Sequence, residues 1–158
     1  MRLTSAQIAQ RYPAHIEPLQ PDILILQLCI NDLKTIPLFP QEKEAIINQC
    51  QENIQHIINQ AQTSDTQIII STIFPVGPVP LQRQLVWSDE IPSAITQINT
   101  FIHSLANDQI IIFDAYTILA NDHGQLADKY SQDELHLNPA GYQALNQQLE
   151  TLLQITPK

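Results

Sequence analysis

The sequence predicts the α/β class, a parallel sheet covered on both faces by helices, and three observations carry that prediction. Three short Ile-rich runs, DILILQLCI (22–30), TQIIISTIF (66–74) and DQIIIFDAY (108–116), have the length and β-branched composition of buried strands. Between them apolar residues recur at spacings of three and four, the period of a helix with one buried stripe. Strands alternating with helices of that length join by right-handed crossovers, so the strands run parallel and helices layer both faces.

The elements follow in order. After the first run, Ile46, Ile47, Cys50, Ile54, Ile57, Ile58 and Ala61 draw a stripe along a helix over 42–62. After the second, Ile95, Ile98, Phe101, Ile102 and Leu105 do the same. The last helix, 139–153, carries Ala144, Leu145, Leu149, Leu152 and Leu153 on one side, behind Asn138 as N-cap and Pro139 at its first position. Residues 75–92 hold Pro75, Pro78, Pro80 and Pro92, too many for a helix, and read as a rim in which Trp87 either contacts a ligand or packs. In a parallel sheet ligands sit beyond the carboxyl ends of the strands, here CIND (29–32), FPVGP (74–78) and FDAYT (113–117).

A chain of 158 residues is one domain with room for a core. Its formal charge of −9, with seven Lys and Arg, repels nucleic acid and anionic membrane surfaces. No apolar run has transmembrane or signal-peptide length, so a cytoplasmic location is expected, provided Met1 is the true start. Two cysteines, Cys29 and Cys50, are too few for a disulfide framework. His15, His56, His103 and His123 are scattered without metal-ligand spacing, and no metal or organic cofactor is implied.

Two stretches bear chemistry. An Asn just past a buried strand, Asn31 in LCINDL, can offer its amide N–H to a developing oxyanion, although Asn-Asp is also ordinary turn chemistry. In QDELHLNPAGY (132–142), Asp133 and His136 stand three apart before a capped helix. Hydroxyl-nucleophile hydrolysis needs a His to take the proton and a carboxylate to fix its tautomer, which a helix-like turn at this spacing would allow. The other reading is a solvated polar helix entrance.

Taken together, CIND and DELHLNPAGY resemble two blocks of the SGNH hydrolases, the GDSL esterase and lipase family, with patterns G-x-N-D and D-x-x-H-x-N-x-x-G-Y. Strand order and the final helix match too, over nearly the whole chain. The resemblance implies a three-layer α/β/α sandwich with a flavodoxin-like parallel sheet. It also implies hydrolysis of a small or medium acyl ester, with Asn31 as oxyanion donor, His136 as general base and Asp133 as its orienting carboxylate. Asp114 and Asn99 are read as structural.

The departures are specific. Cys29 stands at the first Gly of G-x-N-D, and neither the family's Gly-Asp-Ser nor the oxyanion Gly after it is present. The three glycines lie at 77, 124 and 141, and none of the seven serines is in a strand–Gly-Asp-Ser setting. Residues 1–158 are therefore expected to be the later part of a single domain that lacks its first strands, with the nucleophile upstream. Without that segment, 22–30 is an apolar sheet edge, a route to homodimerisation. Within the chain, Ser71 reads as a buried hydroxyl. Cys29, two residues before Asn31 on one strand face, is either a thiol nucleophile paired with His136 or a small buried apolar residue. The alternative function is a non-catalytic relative that binds an ester, a glycan or a partner.

Overall fold

The computed structural model describes residues 3–63, 65–79 and 90–155. Trp87 and most of the proline-rich rim lie outside the described residues. Three strands, β1 (Ile23–Leu26), β2 (Gln67–Ser71) and β3 (Ile110–Phe113), form one parallel sheet in the order β1-β2-β3. The register pairs Leu24 with Ile68 and Ile68 with Ile110, so like faces align across the sheet.

Helices occupy both faces. On one, α1 (Ser5–His15), α3 (Lys43–Ala61) and α4 (Glu90–Ser104) cover Leu24, Leu26, Ile68, Ile70 and Ile110. On the other, α5 (Ala115–Leu119) and α6 (Pro139–Ile155) cover Ile69 and Phe113. The stripe of α3 is buried at Ile47, Cys50, Ile54, Ile57, Ile58 and Ala61. Each full-sized side chain there contributes roughly 1.5–3 kcal/mol by leaving water.

β1 ends sooner than its apolar run. A short helix, α2 (Ile30–Leu33), follows Cys29, whose φ of 81° turns the backbone into the left-handed region. The extended strand over 22–30 is thus corrected: this turn stops it, and Cys29 lies outside the sheet. The two cysteines pair: Cys29 and Cys50 form a disulfide with their Cα atoms 5.9 Å apart. One bond makes no framework, yet it ties the turn after β1 to the middle of α3.

Most side-chain expectations at the strand ends hold. Asn99 lies buried in α4, accepting from the Ile73 N–H (2.8 Å) and donating to the Ile73 carbonyl (3.0 Å), which fixes the exit from β2. Asp114 caps α5 by accepting from the Thr117 N–H and hydroxyl. The Ser71 hydroxyl is buried and donates to the Thr72 carbonyl.

Candidate active site

All three strands run the same way, so their carboxyl ends meet at one end of the sheet. Asn31, on α2, and the segment after β2 lie there. The loop before α6 reaches the same place: the Gly77 N–H donates to the Glu134 carbonyl at 2.9 Å. A Cβ on Gly77 would come within 3.3 Å of the Glu134 Cα, so the absence of a side chain lets the two segments lie this close. Asn31 and His136 line one cavity of about 210 Å³ with Leu28, Ile73, Phe74 and Val76.

Asp133 and His136 meet, though on a closed loop rather than a helical turn. The Asp133 Oδ1 accepts from the backbone N–H groups of Leu135 (2.8 Å) and His136 (2.7 Å), which winds 133–136 tightly around the carboxylate. The His136 Nδ1 then lies 2.9 Å from Oδ1 and 2.8 Å from Oδ2. The Gln132 N–H donates to the His136 carbonyl, and Ser131 bridges to Leu137, closing the loop at its base. Asn138 holds that base to α6: its amide donates to the carbonyls of Lys129 and Ser131, and its Oδ1 caps the Gly141 N–H.

Burial pushes the Asp133 carboxyl up, but it is outweighed by the Leu135 N–H, the His136 ring, the His136 N–H and the imidazole charge. The result is a pKa lowered from 3.8 to about 2. An ionised carboxylate is acceptor-only, so Nδ1 is the protonated nitrogen facing it, and a neutral ring then carries its lone pair on Nε2. The His136 side chain keeps 43% of its surface exposed.

Asn31 and Asp32 divide their work. The Asn31 Nδ2 donates to the Leu3 carbonyl at 2.9 Å. An amide has two N–H donors, and this bond uses one. Asp32 accepts from the Ser5 N–H (2.9 Å) and hydroxyl (2.8 Å), and the Asn53 amide of α3 donates to that same hydroxyl. Ser5 is fully buried, and through it the start of α1 is pinned to Asp32 of α2 and to Asn53 of α3. Sequence reasoning missed this cluster because its members are 27 and 48 residues apart. The only local signal was the Thr4–Gln7 capping box at the start of α1.

The proposed thiol nucleophile is withdrawn. Cys29 is 2% exposed and its sulfur is bonded to Cys50, so it carries no thiolate to pair with His136. No described serine lines the cavity shared by Asn31 and His136. Ser5 and Ser131 spend their hydroxyls on Asp32 and on the Asp133 carbonyl.

No curated protein matches this chain. Among solved structures, a GDSL-like lipase from Bacteroides thetaiotaomicron superposes with a TM-score of 0.79 at 18% identity, covering 96% of this chain and 71% of that one. An acetylxylan esterase from Geobacillus stearothermophilus gives 0.76 at 15% identity, covering 98% of this chain and 69% of the other. At such identities the likeness is one of fold, an α/β/α sandwich in which this chain supplies three parallel strands. The model of the GDSL-like lipase/acylhydrolase family matches residues 2–144, and with a match of that extent the chain belongs to the GDSL-like lipase/acylhydrolase family.

Proposed function

We propose that this chain carries the acid–base and oxyanion half of an ester hydrolase whose nucleophilic serine is supplied by polypeptide outside residues 1–158. The observation that supports it most is the Asp133–His136 pair, locked at 2.8 Å and sharing a cavity with Asn31. In this reading the serine hydroxyl attacks the ester carbonyl while the His136 Nε2 takes its proton. Asp133 holds the ring and stabilises the imidazolium, and an Asn31 N–H donates to the tetrahedral oxyanion. His136 then returns the proton to the departing alcohol, and water repeats the cycle on the acyl-enzyme. The substrate is a small or medium acyl ester; the Geobacillus neighbour, an acetylxylan esterase, makes acetylated carbohydrate a natural first set to screen.

A second reading has its own support. The absence of a described serine from the cavity suits a non-catalytic member that binds an ester or glycan, or pairs through β1 with a second copy. Hydrolysis of p-nitrophenyl acetate separates the two. It is measured for 1–158 and for a version extended upstream through a Gly-Asp-Ser segment, each with and without His136→Ala. The esterase reading expects activity in the extended form alone, lost at least about 10³-fold with the substitution. Equal background rates in all four would reject it in favour of the binding module.

A further inference from the structure

The geometry points to the Cys29–Cys50 disulfide as a positioning cross-link for Asn31, a role that rests on the reading of Asn31 as oxyanion donor. Cys29 adopts φ 81°, where a β-carbon crowds the backbone and glycine is the favoured residue. Its carbonyl accepts from the N–H groups of both Asp32 (2.9 Å) and Leu33 (3.0 Å), so the turn bearing Asn31 starts from this residue. Left to its own preference, a cysteine here would relax toward negative φ and carry α2 with it. The disulfide opposes that relaxation. Cys50 is fully buried in the middle of the 19-residue helix α3, flanked by Ile47 and Ile54, which are equally buried. The anchor is therefore packed in the fully buried core, and the cross-link ties it to a residue two positions from Asn31.

The bonds from Asn31 to Leu3 and from Asp32 to Ser5 hold the turn non-covalently, and reach α3 only through the Ser5 hydroxyl and the Asn53 amide. The disulfide is the covalent hold. A dithiol reductant supplies two electrons and two protons, giving two thiols and its own disulfide as product. Without that tether Cys29 is free to leave the left-handed region.

The test uses the 158-residue chain, with the Asn31 side-chain amide followed by ¹H–¹⁵N NMR and assigned by its loss in Asn31→Asp. Thiols are titrated under denaturing conditions, and thermal unfolding is recorded. Air-oxidised protein is expected to show no free thiol and a slowly exchanging Asn31 amide. Dithiothreitol, or Cys29→Ala with Cys50→Ala, is expected to shift that resonance, speed its exchange and lower Tm by roughly 6–12 °C. Cys29→Gly with Cys50→Ala is expected to return the resonance to its oxidised position while recovering only part of the Tm. Free thiols in the oxidised protein would overturn the inference. So would a fall in Tm with the Asn31 resonance unmoved, which would leave the bond as general stabilisation. The oxyanion reading fails separately: Asn31→Ala would then leave ester hydrolysis by the extended protein unchanged.

Discussion

At the residue scale, Asp133 owes its position to two backbone N–H groups as much as to the histidine. They close the loop over a carboxylate, and the carboxylate then meets the ring edge-on. With its pKa depressed from 3.8 to about 2, Asp133 favours the folded state fully above 3.8 and loses that contribution as pH falls toward 2. Asp133→Asn is therefore expected to unfold at a lower temperature than the parent at pH above 5, with the gap closing by about pH 2. A gap constant with pH, measured by calorimetry, would show that the charge contributes nothing. In the extended protein the same substitution is expected to cost about 10⁴-fold in kcat, because an amide facing Nδ1 can favour the wrong tautomer.

At the element scale, the start of α6 decides where the loop sits. Gly141 occupies its first turn, where a Cβ would come within 2.9 Å of the Tyr130 carbonyl and 3.1 Å of the Leu137 Cβ. Helix propensity alone would make Gly141→Ala stabilising by about 1 kcal/mol. The contact reverses the sign, and a loss of about 1–3 kcal/mol is expected from urea unfolding. A gain would mean that α6 has room to spare at its base. Elements such as α3 and α6 were legible because long stripes and a clean Asn-Pro start leave little choice of structure. α1 was not: its buried face is only Ser5, Ala9 and Tyr12, and Pro13 lies inside it. The strand over 22–30 was drawn too long because a positive φ at a cysteine leaves no mark in composition.

At the scale of the whole molecule, the three apolar runs sufficed for the sheet: β2 is buried between helical layers, and β1 and β3 flank it. Spacing alone left the pairing of Asp133 with His136 open against a solvated helix entrance; the resemblance to the D-x-x-H block favoured it, and the contact forms on a closed loop. What joins distant segments was not: the disulfide spans 21 residues, and the Ser5–Asp32–Asn53 cluster exists only once α1, α2 and α3 are stacked. β1 pairs with β2 alone among the described residues, and Ile25 on it is 46% exposed. A bare, apolar edge of this kind invites strand addition. Self-association of 1–158 is expected in sedimentation velocity, shifting toward monomer with Ile25→Lys; an unchanged distribution would place the association elsewhere.

In the proposed mechanism His136 is a base whose proton-accepting nitrogen is set by Asp133. Two-bond ¹H–¹⁵N correlation of the His136 ring, recorded at about pH 8.5 where an ordinary histidine is neutral, reads the tautomer directly. The expected result is a ring protonated at Nδ1 with its lone pair on Nε2, reverting toward the mixture of a free imidazole in Asp133→Asn. A ring protonated mainly at Nε2, or a tautomer indifferent to Asp133→Asn, would contradict it.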